Sequence, residues 1–143
     1  MIQVYELNKD QVLQVWTDIR GFLDSALKKY GQDERYPVDI LLADLISGRM
    51  QGWVIRKDDV TVCAAVTEII RYPLGDAVNV FLTGGDNMDE WGDDLHNAIV
   101  DYAHKIGAKW VDTASRRGLR KKFYDRLGYQ CKQVNFSYKV NDD

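Results

Sequence analysis

The chain has 143 residues, of which 45% are hydrophobic and 29% are charged, and these values are typical of one globular domain. Nineteen basic and 22 acidic residues give a formal net charge of −3, which provides no general attraction to nucleic acid or to an anionic membrane. No apolar run is long enough to span a membrane, and two cysteines are too few for a disulfide scaffold. The first residues lack the basic and apolar pattern of a secretion signal, so we expect a compact cytoplasmic domain over residues 1–143.

The first part of the chain predicts a strand followed by a long helix. Residues 1–7 alternate apolar and polar side chains, which is typical of a strand. From Val12 to Leu27 the apolar residues recur at steps of three and four, as they do on one face of a helix. Asn8 or Asp10 has a side chain suited to cap that helix.

A second helix and three strands are predicted next. Pro37 is favoured at the first turn of a helix, and Gly48 is suited to end it. Strand patterns then cover residues 52–56, 60–70 and 77–83, with turn residues between them. Three successive strands joined by short turns predict an antiparallel arrangement.

The last third of the chain alternates helix and strand. Apolar residues at helical spacing predict a third helix from Trp91 to Ile106, followed by a strand over 109–113. Residues 119–127 predict a fourth helix, and residues 129–140 predict a final strand. The order β-α-α-β-β-β-α-β-α-β predicts an α/β fold, with a mixed and mostly antiparallel sheet flanked by helices on both faces.

Two segments of this last third have a recognisable pattern. Residues 123–129 read Phe-Tyr-Asp-Arg-Leu-Gly-Tyr, and residues 103–111 lead from a helix through Gly107 into an apolar strand. Together with the order of elements, these segments resemble the GCN5-related N-acetyltransferases (GNAT) over nearly the whole chain. The resemblance implies that acetyl-CoA binds between the fourth and fifth strands as a co-substrate. It also implies acetyl transfer to the amine of a small molecule or a protein.

The resemblance further implies a catalytic role for one tyrosine. Tyr124 matches the residue that protonates the departing CoA thiolate; the alternative is a tyrosine whose ring only packs on the sheet. For the general base, Glu68 is the candidate because it lies inside an otherwise apolar strand, and burial there would raise its pKa. The alternative is that Glu68 points outward on the polar face.

The family's loop for the CoA pyrophosphate, [QR]-x-x-G-x-[GA], is poorly matched. It aligns with residues 87–92, where only Gly92 fits, Asn87 replaces Gln or Arg, and Glu90 replaces the first glycine. Glutamate fills the space that a glycine leaves for the phosphates and adds a like charge. A shifted alignment instead uses the end of the preceding strand, with cofactor contacts from Leu82, Thr83, Gly84 and Gly85.

Five acidic residues and no basic residue lie within 86–94: Asp86, Asp89, Glu90, Asp93 and Asp94. Two unit charges about 6 Å apart repel by about 3 kcal/mol at an effective dielectric constant of about 20. Such repulsion opposes phosphate binding. The alternative is that these acids only stabilise the start of a helix, where negative charge favours the helix dipole.

A basic run covers residues 116–126. Arg117, which stands where the family often has an asparagine, is a candidate contact for the CoA phosphates. The run is also suited to nucleic acid or an acidic protein partner, and most often such a run is simply a solvated helix face. Its sequence further resembles GNAT-like proteins of bacteriophages, some of which are virion or accessory components.

The sequence therefore supports two hypotheses from different classes. The first is an N-acetyltransferase with a weakened acetyl-CoA site. The second is a catalytically silent GNAT-like module that binds a protein partner through its acidic residues 86–94 or its basic residues 116–126. The sequence indicates no metal site, because the acidic loop does not match a calcium-binding pattern.

Overall fold

Five strands lie side by side in one sheet, and their spatial order is their order in the chain. They are β1 (Ile2–Leu7), β2 (Met50–Lys57), β3 (Val60–Tyr72), β4 (Gly75–Gly85) and β5 (Trp110–Thr113). The first three neighbouring pairs are antiparallel, and β4 and β5 are parallel. This computed structural model, which describes residues 1–115 and 119–140, confirms the predicted mixed sheet.

Within the described residues, three α-helices cover the two faces of the sheet. They are α1 (Lys9–Lys29), α2 (Val38–Ser47) and α3 (Met88–Ile106). Strand side chains alternate between the faces. Val54 of β2 therefore lies in a core with α1 and α2, whereas its neighbours Trp53 and Ile55 lie in a second core with α3. The predicted helices on both faces are confirmed.

Local sequence signals determine where these helices begin and end. At the start of α1, the Asn8 side chain accepts a hydrogen bond from the Gln11 N–H, and the Gln11 side chain accepts one from the Asn8 N–H. This reciprocal capping box confirms Asn8 as the cap. Gly48 and Gly107 end α2 and α3 in the left-handed conformation that glycine adopts easily.

The chain divides into two compact units, Met1–Thr113 and a second unit, Ala114–Asp143. Its helical part is a π-helical turn, Arg120–Tyr124, in place of the longer fourth helix that the sequence predicts. The Tyr129 N–H donates to the Tyr124 carbonyl oxygen at 3.0 Å, which extends this wide-turn geometry.

The predicted final strand is not formed, since residues 129–140 have no regular secondary structure. Alternating apolar residues favour a strand, but a strand is stable only when a neighbouring strand pairs with it. Alternation of apolar and polar residues over 129–140 is therefore not sufficient to predict a strand.

The structure also bears on membrane insertion. Across residues 1–115 and 119–140, no helix is both long enough and apolar enough to cross a membrane.

Candidate functional site

The candidate site begins where β4 extends past β5. The parallel ladder runs from Ala77 opposite Trp110 to Val80 opposite Thr113, whereas β4 continues to Gly85. Beside this point, β4 contains a bulge, because consecutive β3 residues pair with Val80 and Leu82 and leave Phe81 between them. A bulge bends a strand and turns its main-chain groups. The last residues of β4 thus present a main-chain edge beyond the end of the β4–β5 ladder.

The side chains at the end of β4 have packing roles. Leu82 is buried in the core with α1, and Thr83 is half-buried. A Cβ atom on Gly84 would collide with the Phe22 carbonyl group of α1, and one on Gly85 would collide with β3. The two glycines are therefore needed for close packing of the strand. What these four residues offer a ligand is their main chain.

The start of α3 lies just after this strand and has no side-chain cap. Asn87 precedes the helix with φ of 60°, and its side chain makes no capping hydrogen bond. The Trp91 indole N–H donates to the Asp86 carbonyl oxygen at 2.7 Å, which fixes the turn that enters the helix. Main-chain N–H groups at a helix start attract anions when no cap occupies them.

The five acidic residues of segment 86–94 lie on the surface at this helix start. Asp86, Asp89, Asp93 and Asp94 are exposed. Glu90, which replaces the first glycine of the phosphate loop, forms an ion pair with Lys57 at 3.0 Å. Gly92 lies buried inside the helix. The lysine offsets one of the charges that would repel a phosphate, and the other acids remain at the helix start.

Glu68 lies close to the bulge of β4. It pairs across the sheet with Asn79, whose side-chain N–H donates to the Glu68 carboxylate at 3.1 Å. Its register partner on β2 is Met50, which belongs to the core with α1 and α2, so Glu68 faces that side of the sheet. The carboxylate is half-buried. This position is compatible with a base, and the role of Glu68 stays a prediction.

A tyrosine–aspartate pair near the bulge was missed by the sequence analysis. The Tyr36 hydroxyl donates to the Asp44 carboxylate, and the Tyr36 ring contacts Phe81 with ring centroids 5.3 Å apart. Asp44 is buried. The signal was available, because Asp44 follows Leu41 by three residues and so lies on the apolar face of α2. This pair attaches the segment between α1 and α2 to the bulge.

Tyr124 lies in the second unit, within an aromatic cluster. Its half-buried ring makes edge contacts with Phe123 and Tyr129, at centroid distances of 5.0 and 5.2 Å. The Arg126 guanidinium lies 5.7 Å from the centre of the Phe123 ring. These contacts orient the tyrosine locally, and its role as general acid stays a prediction. Arg117 lies outside the described residues.

Burial shifts the pKa of Cys63 on β3 and that of His96 on α3. Burial raises the pKa of the Cys63 thiol, so this cysteine stays protonated and unreactive at neutral pH. Burial also lowers the pKa of His96 on α3, and the Asp93 charge partly opposes that shift. Among the residues that the structure describes, no three histidine, cysteine or acidic side chains are placed to hold a metal ion.

Comparisons with known proteins identify the fold. No protein-family model and no curated protein sequence matches the chain. Among solved structures, a probable acetyltransferase is 13% identical and matches over 99% of both chains with a TM-score of 0.79. An aminoglycoside N-acetyltransferase in complex with CoA is 17% identical, with 99% of this chain and 96% of that chain covered and a TM-score of 0.70. A ribosomal-protein-alanine N-acetyltransferase from Brucella melitensis is 13% identical, with 99% and 100% covered and a TM-score of 0.67. The chain therefore has the fold of the GNAT acetyltransferases.

Proposed function

We propose that the chain is a GNAT-type N-acetyltransferase that binds acetyl-CoA along the part of β4 that continues beyond the β4–β5 ladder, and that transfers the acetyl group to an amine. The observation that carries the proposal is the end of the β4–β5 ladder at Val80, directly beside the bulge at Phe81. The fold also supports binding of acetyl-CoA, since one structural neighbour is in complex with CoA. Fold alone does not determine function, so the proposal depends on this edge.

The main chain of Leu82, Thr83, Gly84 and Gly85 is assigned to the pantetheine arm of acetyl-CoA. That arm contains two amide groups and can pair with a strand edge much as another strand would. The start of α3 is assigned to the pyrophosphate. A helix start contributes less than about 2 kcal/mol, and the exposed acids oppose it. We therefore expect acetyl-CoA to bind more weakly than at an uncharged glycine loop, with Lys57 and Arg117 supplying compensating charge.

The proposed reaction assigns one proton transfer to each candidate residue. The amine nitrogen attacks the thioester carbon, and the resulting tetrahedral species collapses by breaking the C–S bond. Glu68 takes the proton that the amine loses, directly or through a water molecule, and the Tyr124 hydroxyl gives a proton to the leaving thiolate. The products are an N-acetyl amine and CoA.

A second candidate function is favoured by the acidic start of α3. Asp86, Asp89, Asp93 and Asp94 are exposed there. A catalytically silent module would use residues 86–94 or the basic residues 116–126 to bind a protein partner. A bacteriophage-type role and a cytoplasmic location are also proposed for the chain. Both proposals rest on the sequence alone.

The proposal is tested by measuring CoA release from acetyl-CoA in the presence of a panel of amines, including aminoglycosides, polyamines and peptide amino termini. With an accepted amine, Tyr124→Phe should lower kcat by about 100-fold or more and leave the affinity for acetyl-CoA unchanged, because a general acid contributes about 10²–10⁴-fold. The matched control is Tyr129→Phe, which alters the same aromatic cluster. Equal rates for Tyr124→Phe and the unmodified chain would remove Tyr124 from the mechanism. Acetyl-CoA binding without turnover of any amine would favour the second candidate.

A further inference from the structure

A cleft of about 250 Å³ lies between α1 and the sheet face formed by β1 and β2. Most of its lining is polar and comes from Gln3, Tyr5, Gln11, Gln14 and Arg56. The strands β2 and β3 separate β1 from β4, so this cleft is distinct from the proposed acetyl-CoA site. Its volume is below that of most small-molecule sites, which favours a compact ligand.

Within the described residues, the cleft contains a cation without a counter-ion. Arg56 is half-buried and makes no ion pair with any of these residues. Its Nη2 donates to the Asp59 carbonyl oxygen, and its buried Nε makes no hydrogen bond within residues 1–115 and 119–140. Buried charges in proteins are normally paired, because an unpaired charge loses hydration without compensation. Arg56 is therefore a held positive charge whose Nη1 and Nη2 groups are available to an anion.

Two side-chain amides of the lining present donors rather than acceptors. The Gln3 side-chain oxygen accepts from the Tyr5 hydroxyl at 2.7 Å, and the Gln11 side-chain oxygen accepts from the Asn8 N–H at 2.8 Å. These bonds engage the oxygen atoms and leave the NH2 groups of both glutamines to donate. Gln3 is also the register partner of Arg56. The polar part of the lining thus favours a ligand group that accepts hydrogen bonds.

The cleft also has an apolar part, formed by Leu7, Val15 and Val54. Leu7 follows Gln3 by four residues on the same face of β1, which places their Cα atoms about 13 Å apart. The cleft therefore has a cationic end, where Gln3 pairs with Arg56, and an apolar end at Leu7. A ligand that fits both ends has a charged head and a short hydrocarbon chain.

The number of charges favours an anion with a single negative charge. Among the described lining residues, Arg56 is the one cation. Asp59 lines the cleft as well, and the neighbouring Asp58 is paired with the amino group of Met1 at 2.7 Å. A doubly charged phosphate would be attracted by Arg56 and repelled by Asp59. A carboxylate carries one charge, and its two oxygens match the planar guanidinium.

We propose that this cleft binds a small monocarboxylate with an aliphatic chain. Its carboxylate pairs with Arg56, and its chain lies on Leu7, Val15 and Val54. Such a ligand gives Arg56 the counter-ion that the described residues do not supply. The inference does not depend on acetyltransferase activity.

The first test is a ¹H–¹⁵N NMR titration of the purified chain with hexanoate. We expect saturable shifts of the Arg56 Nε–H signal and of the main-chain amides of residues 3–7, with a dissociation constant of about 1 mM or below. Hexanamide has the same shape without the charge, and it should bind at least about 10-fold more weakly. Acetate keeps the charge without the longer chain and should also bind more weakly than hexanoate.

The second test changes the charges of the cleft. Arg56→Gln should weaken hexanoate binding by at least about 10-fold. The matched control is Arg71→Gln, which removes a 75% exposed arginine of β3 and should change the affinity by less than about 3-fold. Asp59→Asn should strengthen binding, because it removes the opposing charge and asparagine tolerates the left-handed conformation at this position.

Equal affinities for hexanoate and hexanamide would overturn the proposal, and so would hexanoate binding that is absent or unchanged in Arg56→Gln. Shifts confined to β4 and the start of α3 would overturn it as well, because they would place the carboxylate at the other site. Tighter binding of inorganic phosphate than of hexanoate would contradict the assigned ligand class. The hexanamide and Asp59→Asn comparisons leave Arg56 intact, so they decide the question even if Arg56→Gln does not fold.

Discussion

The two long helices begin in different ways, although an asparagine precedes each. At α1, Asn8 and Gln11 satisfy two main-chain N–H groups through a capping box. At α3, Asn87 adopts a left-handed conformation and its side chain caps nothing. A helix start completed by its own side chains serves the fold, whereas one left open is available to solvent or to an anion. For this reason the proposed pyrophosphate site is at the start of α3.

The open start is still compatible with a stable helix. Asp89 and Glu90 lie in the first turn of α3, where negative charge favours the helix dipole. Glu90 is also held by Lys57 of β2. Negative charge thus stabilises the start of α3, whereas hydrogen bonds from side chains stabilise the start of α1. The same negative charges weaken the attraction of the α3 start for a phosphate.

The largest expected effect on stability is at Gly84. This residue allows β4 to pack closely on the middle of α1. Gly84→Ala should lower the free energy of unfolding by about 3 kcal/mol, because the added Cβ collides with the Phe22 carbonyl group and the main chain must move. Urea unfolding measures this loss. Gly21→Ala is the matched control in α1, where a Cβ meets open space, and it should be stabilising. An unchanged stability for Gly84→Ala would show that α1 does not pack on this strand as described.

The second prediction addresses the two asparagines directly. Asn8→Ala should cost about 1 kcal/mol of unfolding free energy, since it removes a cap. Asn87→Gly should be neutral or stabilising, because glycine adopts the left-handed conformation without strain. Thermal and urea unfolding of both variants measure the difference. Equal losses at the two positions would contradict the distinction between a closed and an open helix start.

The sequence predicted local features of the fold well and contacts between distant residues poorly. Asn8, Gly48 and Gly107 could be recognised because capping depends on neighbouring residues. The Lys57–Glu90 ion pair joins residues 33 positions apart, and no pattern within either segment indicates it. The collision that requires Gly84 is likewise set by a distant helix.

In the candidate site, too, the contacts between distant residues could not be predicted from the sequence. The end of the β4–β5 ladder at Val80 follows from the register of the two strands and the length of β5, which the sequence does not specify. Tyr36 and Asp44 meet only because the segment before α2 folds onto the bulge of β4. Alternation over residues 129–140 predicted a strand, but a strand also needs a partner, and the sequence of one segment does not contain that information.

A smaller effect is expected for the ion pair beside α3. A double-mutant cycle with Lys57→Met and Glu90→Gln should give a coupling of about 0.2–1 kcal/mol, because both side chains are partly exposed. Urea unfolding of the four proteins measures it. A coupling of zero would mean that Lys57 does not offset the charge of Glu90.

The smallest effect is the pH dependence contributed by His96 of α3. Burial lowers the pKa of His96 in the folded chain, so the unfolded chain binds a proton more readily. The stability that this residue contributes is present above its ordinary pKa of about 6.5 and is lost as the pH falls through the lower, folded value. His96→Gln should therefore reduce the loss of stability between pH 7.5 and pH 5, measured by thermal unfolding. His104→Gln, on the same helix and exposed, is the control, and equal slopes for the two variants would contradict this assignment.

The proposed co-substrate site is tested most directly by a calorimetric titration of acetyl-CoA into the purified chain. If the edge of β4 and the open start of α3 form the site, binding should be saturable at one acetyl-CoA per chain with a micromolar dissociation constant. Ligand at about 100 times that constant should add about 2.7 kcal/mol to the stability, which raises Tm by several degrees. Absence of binding up to millimolar acetyl-CoA would contradict the account, and it would mean that the chain has the fold of an acetyltransferase without its co-substrate site.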